Sequence, residues 1–151
     1  MYKAVDVAQY IVNYCDKKNL LLPPQRLQKL LYFTQAYYLI CKNKPLFKDD
    51  ILAWKSGVIV REVYNKYKFF GNGFIYDETN DVIILDEDKF LIEEVILKYK
   101  DTSTMKLDEI IKKQSPWVDN FDENKVNLIA PQDILNFFLK GEREELTCTM
   151  S

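Results

Sequence analysis

Apolar residues recur at spacings of three and four along much of this chain, the pattern of helices that bury one stripe. Val5, Ala8, Val12 and Cys15 form one such series, and Val7, Ile11 and Tyr14 a second beside it. Residues 3 to about 18 are therefore predicted to form a helix with a broad apolar face. Pro23 and Pro24 cannot continue a helix but suit the start of one, where the missing N–H has no partner to lose. A second helix is predicted from Pro24 to a stop at Asn43, with Leu27, Leu30, Leu31, Tyr38 and Cys41 on one side. Phe33, Tyr37 and Leu39 widen its apolar coverage, so it is expected to lie centrally and meet neighbours on more than one side.

The segment KPLFKDDILAWKSGV reads as a loop in which Asp49 or Asp50 caps a turn and Gly57 permits a tight bend. Val60, Val63, Tyr64 and Tyr67 predict a short third helix over residues 60–68, closed by Gly71-Asn72-Gly73. Phe74-Ile75-Tyr76 and Val82-Ile83-Ile84-Leu85 flank a polar turn and predict a small β-hairpin. Asp86-Glu87-Asp88 offers an N-cap and an acidic first turn to a fourth helix carrying Phe90, Leu91, Val95, Ile96 and Tyr99. Thr102 or Ser103 caps a fifth, with Leu107, Ile110 and Ile111 inward, which Ser115-Pro116 ends. A last helix runs from Pro131 to Leu139 and is closed by Gly141, and the tail EREELTCTMS has too little apolar content to pack. The expected architecture is mainly α (α+β): a compact helical domain over residues 1–141, with about six helices, a small β-hairpin and a frayed acidic tail over residues 142–151.

Composition narrows the chemistry more than the fold. At 151 residues, 48% of them hydrophobic, the chain has the size and apolar mass of one packed domain. It contains no histidine, which removes Ser-His and Cys-His nucleophiles, His-ligated zinc and the usual proton shuttle near neutral pH. Cys15, Cys41 and Cys148 are odd in number and far apart, so neither a disulfide framework nor a zinc knuckle is expected. With no secretory h-region and no apolar run of membrane-spanning length, a soluble protein of a reducing cytoplasm is expected. Net charge is −2, but residues 1–70 carry +7 and residues 71–151 carry −9. Either the two halves form lobes of opposite sign, or they fold against each other and interleave their charges, the more ordinary outcome.

Candidate motifs each have a plain structural explanation beside the functional one. Gly71-Asn72-Gly73 follows a predicted helix and fits no phosphate-binding fingerprint. The carboxylate groups Asp86, Glu87, Asp88 and Asp119, Asp122, Glu123 lack calcium-loop spacing and read as a helix start and a solvated turn, so no metal or other cofactor is expected. Cys41 beside Lys42 and Lys44 is a candidate reactive thiol or a core residue. Tyr32, Tyr37 and Tyr38 near Arg26 and Lys29 could stack nucleic-acid bases or fill a helical core. Trp54 and Trp117 lie in predicted loops, where they act as interface anchors or plug the ends of the bundle.

MYKAVDVAQYIV, RLQKLLYFTQAYYL, PLFKDDILAWKSGVIVREVYNKYKFFG and LDEIIKKQSPW, in this order and spacing, resemble the Panacea domain, the SocA-like or GepA-like phage-associated family. The resemblance spans most of residues 1 to 139. It implies a small helical cytoplasmic protein of bacteria, plasmids and prophages. Members commonly bind and neutralise a toxin encoded beside them, and one branch delivers its toxin to a protease as an adaptor. The signature positions carried over are Gln28, Lys29, Tyr32, Trp54, Lys55, Gly57, Tyr64, Pro116 and Trp117. Two positions depart from the family pattern: Val58 follows Gly57 where a proline is usual, and Ile111-Lys112 stands where a Thr-His pair is usual.

The expected function is a non-enzymatic antitoxin that occludes a protein toxin through Trp54, Lys55, Tyr64, Tyr67 and Trp117. The alternative is an inhibitor of a host defence nuclease or CRISPR effector that uses the acidic half as a nucleic-acid mimic. An enzyme built on carboxylates, tyrosine or lysine alone, and a DNA-binding regulator using the basic half, rank below these.

Overall fold

The computed structural model describes residues 1–77, 80–140 and 146–148. Its axis is α2 (Pro24–Lys42), in which every residue from Leu27 to Leu39 is buried, as expected for a helix apolar on all sides. Pro24 occupies its first turn, and Asn43 closes it in the left-handed conformation, with its N–H on the Leu39 carbonyl. Around α2 pack α1 (Ala4–Lys17), α4 (Asp86–Tyr99), α5 (Thr104–Ile111) and α7 (Pro131–Leu139). The short helices α3 (Arg61–Tyr67) and α6 (Ser115–Val118) complete seven helices among the described residues.

A three-stranded antiparallel sheet, in the order β2-β1-β3, covers one end of α2. β1 (Ile51–Trp54) and β2 (Gly57–Ile59) form a hairpin closed by the Trp54–Gly57 pair over Lys55-Ser56, and β3 (Asn127–Ile129) pairs along the other edge of β1. Ile51, Ala53, Val58 and Ile129 enter the core, while Leu52 pairs with Ile59 on one side and Leu128 on the other.

α1 has no cap of its own, and the remote Asp49 carboxylate accepts from the Ala4 N–H at 2.8 Å. Tyr2 hydrogen-bonds through its backbone to Leu46 and Lys48, and its hydroxyl donates to buried Asp88 at 2.6 Å, so the first residues are tied to both the hairpin entry and α4. The Gln35 side chain accepts from Leu46 N–H and donates to the Phe47 carbonyl, holding the same connection against α2. Arg26 donates to the carbonyls of Tyr99 and Thr102, which closes the end of α4.

Several expectations need correction. The hairpin is residues 51–59, almost all of it in the segment read as a loop, and residues 74–76 and 82–85 form no strand. Their apolar residues found no partner strand: Ile83 and Leu85 are exposed, and Ile75 instead donates its N–H to the Leu22 carbonyl. Pro116 does not end α5, which stops at Ile111, but sits in the first turn of α6. Asp86, Glu87 and Asp88 lie within the first turn of α4, with Leu85 at the cap position. Ser103 does cap α5, its Oγ accepting from the Lys106 N–H at 3.0 Å. Gly141 lies outside the described residues.

The tail and the cysteines also differ from expectation. Leu146 is buried against the core, and Cys148 forms a disulfide with Cys41 at the end of α2, with Cα atoms 5.2 Å apart. The rest of the expected tail, residues 142–145 and 149–151, lies outside the described residues. Cys41 is thus bonded rather than a reactive thiol, and Cys15 is a buried free thiol whose pKa burial pushes up to about 11. The ion pairs Lys29–Asp108 and Lys42–Glu87 join the basic half of the sequence to the acidic half, so the charges interleave at least along α2.

Candidate partner-binding surface

The residues singled out in the sequence converge on one end of the molecule, where the hairpin meets α2, α3, α5 and α6. They divide into a buried set that holds this end together and an exposed set that faces outward.

Gln28 lies on the buried side of α2, and its amide brackets one residue after β2: Oε1 accepts from Val60 N–H at 2.8 Å and Nε2 donates to Val60 O at 3.2 Å. Both backbone groups would otherwise be buried without partners. One turn of α2 further on, Tyr32 is fully buried and donates its hydroxyl to Gln114 Oε1 at 2.7 Å, fixing the junction between α5 and α6. Burial raises the pKa of Tyr32 far above the ordinary tyrosine value.

Lys29 is 3% exposed and contacts Asp108 Oδ1 at 3.4 Å, while Asp108 Oδ2 lies 3.0 Å from Lys112. Burial lowers the Lys29 pKa, and the Asp108 charge opposes that shift. Gly57 passes directly over this ion triad. Its φ is +121°, and a Cβ there would stand 2.8 Å from Asp108 Oδ1 and 3.6 Å from Lys29 Nζ, so the hairpin can lie on the triad only with glycine at this position. Val58, the departure from the family pattern, is buried and paired with Ala53, so the tight hairpin forms without proline.

Trp117 belongs with these braces. Its indole N–H donates to the Trp54 carbonyl at 3.0 Å, its ring stacks on Phe121 at 4.6 Å, and Lys112 lies over its ring at 5.7 Å. Tyr67, expected to meet a partner, is instead buried: it is 2% exposed and donates its hydroxyl to Asp77 at 3.3 Å. It follows Val63 by four residues and shares its inward side, the two being the buried residues of α3.

What remains outward is Trp54, Lys55 and Tyr64. Trp54 is half-buried, with Tyr64 against it edge-to-face at 5.0 Å. The Arg61 guanidinium lies 5.6 Å from the Trp54 ring centre, and Lys68 lies 5.8 Å from that of Tyr64. Lys55 is exposed in the hairpin turn. Arg61 was missed in the sequence; its position three residues before Tyr64, on the same helical face, was the available signal.

The remaining candidates do not form a site. Tyr32, Tyr37 and Tyr38 are all buried and cannot stack on bases. Among the described residues no group of three or more Cys, Asp or Glu is arranged to hold a metal ion, and no helix is long and apolar enough to cross a membrane.

The family model described as "Antitoxin SocA-like, Panacea domain" matches residues 27–118. The chain belongs to that family. No curated protein and no solved structure matches it significantly. The matched part of this Panacea domain runs from the first turn of α2 through α6, so it contains both the buried braces and the exposed Trp54–Tyr64–Arg61 stack, while α1, β3 and α7 lie outside it. An antitoxin family implies a protein partner in general terms.

Proposed function

We propose that this Panacea domain neutralises a cognate protein toxin by occlusion, without chemistry of its own, and that the surface it applies is the hairpin tip with α3. One observation carries the assignment of the surface. Among the signature residues, Gln28, Lys29, Tyr32, Gly57 and Pro116 are buried and Trp117 braces the hairpin, whereas the side chains of Trp54, Lys55 and Tyr64 remain accessible and make no hydrogen bond or ion pair among the described residues. Trp, Tyr and Arg are the residue types that carry most binding energy at protein interfaces, and here they form a single stack. The two cross-half ion pairs speak against the acidic half acting as a separate nucleic-acid mimic.

The test is growth rescue in cells that express the toxin encoded beside this gene. Trp54→Ala and Tyr64→Ala are expected to lose rescue while melting within a few degrees of the native protein, because truncating an interface anchor costs about 2 kcal/mol or more in binding. Trp54 Nε1 is buried with no hydrogen-bond partner among the described residues, so removing it relieves one desolvated group and limits the loss of stability. Full rescue by both folded variants would refute the surface assignment.

A further inference from the structure

Arg61 is the unusual member of the stack. Its guanidinium lies on the face of Trp54, yet among the described residues it makes no ion pair and no hydrogen bond, although Glu62 is its neighbour in sequence. An arginine held against an aromatic face keeps its planar fork of donors free and loses little further freedom when a carboxylate arrives. Lys55 and Lys68 add charge of the same sign, and neither has a carboxylate partner among the described residues. The nearby carboxylate Asp108 is already matched by Lys29 and Lys112.

Arg61 also lines a cleft beside β1 whose apolar wall is Leu52, Val60, Val126 and Leu128. Val126 and Leu128 are 53% and 54% exposed. Lys48, Asp49, Asp50 and Glu62 lie at the same cleft, and the Asp49 carboxylate is already engaged by the α1 N-terminus. The cleft is therefore mixed, and the free guanidinium beside its apolar wall fits a carboxylate flanked by apolar side chains.

We propose that Arg61 receives an Asp or Glu carboxylate of the toxin, whose neighbouring apolar side chains occupy the cleft beside β1. This rests on the reading that the hairpin end faces the toxin, and it adds what the toxin must present there. Charge complementarity of this kind sets encounter rate and partner choice as well as affinity.

Both tryptophans of the chain lie at this end, so intrinsic fluorescence reads it without labelling. With each ion's quenching divided by its quenching of free N-acetyltryptophanamide, iodide is expected to exceed caesium by about twofold in a positive local field, with the ratio falling towards one in Arg61→Glu. Equal normalised quenching by the two ions in the native protein would overturn the inference. With the toxin from the adjacent gene as the probe, Arg61→Glu is expected to weaken binding at least about tenfold, Arg61→Lys less, and an acidic-to-basic exchange in the toxin to restore binding to Arg61→Glu. If Arg61→Glu binds like the native protein while Trp54→Ala does not, the surface stands and the carboxylate does not. If both variants bind like the native protein, the surface assignment fails and takes this inference with it. Quenching by an oligothymidylate that depends on Arg61 and resists competition by the toxin would make the partner a nucleic acid and overturn the inference.

Discussion

Trp117 reaches across 63 positions of sequence to donate its indole N–H to the Trp54 carbonyl, so one half-buried tryptophan holds the backbone that carries the other. The two therefore need different tests. Trp117→Phe should keep the stack on Phe121, lose the hydrogen bond and cost about 1 kcal/mol in denaturant unfolding. Trp117→Ala removes the ring as well, so lost rescue in that variant would not identify a contact. A Trp117→Phe variant as stable as the native protein would show that the bond does not hold the hairpin.

Gly57→Ala should be costly for two reasons that add. Alanine resists a φ of +121°, and its Cβ would press on an Asp108 carboxylate already held by two lysines. A loss of about 1 to 3 kcal/mol is expected. A calorimetric melting point within a degree of the native value would mean that the hairpin can lift away from α5.

The ion triad around buried Lys29 predicts an asymmetry. Asp108→Ala leaves the Lys29 charge buried with no carboxylate against it, which should cost about 3 kcal/mol or more at pH 7. Lys29→Met leaves Asp108 paired with Lys112 and partly solvated, and should cost less. pH provides a second check, because burial lowers the Lys29 pKa and the unfolded chain then binds a proton that the folded chain releases. The penalty in Asp108→Ala should accordingly shrink as pH rises from 7 towards 9.5. Equal losses in the two variants, independent of pH, would contradict this account of the triad.

Alkali should unfold the protein cooperatively. An ordinary tyrosine ionises near 10.0, but burial raises Tyr10, Tyr32 and Tyr67, and raises Tyr38 to about 12, with Glu93, Asp77 and Asp88 adding to the shift at Tyr10, Tyr67 and Tyr38 respectively. Above pH 10 the unfolded chain loses protons that the folded chain retains, so stability is fully present below that pH and falls as pH rises beyond it. Lys29 and Arg26, which burial lowers, work in the opposite sense, against these four tyrosines together with Tyr2, Tyr14 and Cys15, which burial also raises. The tyrosinate absorbance of Tyr32, taken as the difference between the native protein and Tyr32→Phe, should therefore rise together with the loss of helical circular dichroism; a difference signal that rises well before the helix signal falls would show that this hydroxyl is open to solvent.

What the sequence made legible depended on range. α1, α2, α4 and α7 announce themselves because a helix is specified by residues three and four apart. The sheet could not be read in this way: β3 lies more than seventy positions after its partner β1, and ILAW is buried too evenly to show alternation. Val82 to Leu85 has the composition of a strand, but composition does not supply a neighbour to pair with. Trp54 and Tyr64 stood out by type and position, whereas the separation of Tyr67 from Tyr64 needed the helix phase. That Lys29 is buried beside Asp108, and that Gly57 must pass over both, follows from packing between distant segments alone.

The Cys41–Cys148 bond predicts a mass about 2 Da below that of the reduced chain, and a rise in melting temperature on oxidation that Cys148→Ser abolishes. A cross-link between residues 107 positions apart is expected to contribute about 2 to 4 kcal/mol. Identical melting in the presence and absence of reductant would indicate that the bond does not constrain the chain.

That same bond changes how the molecule would respond to force. Tension applied beyond Cys148 passes through the sulfur atoms into α2 at Cys41, and the sheet, α3 to α7 and the whole outward-facing stack lie on the branch that bears no load. An unfolding machine drawing on that end would have to thread two strands at once or wait for a reductant. The oxidised protein would then outlast its reduced form wherever turnover begins with pulling on the C-terminal side.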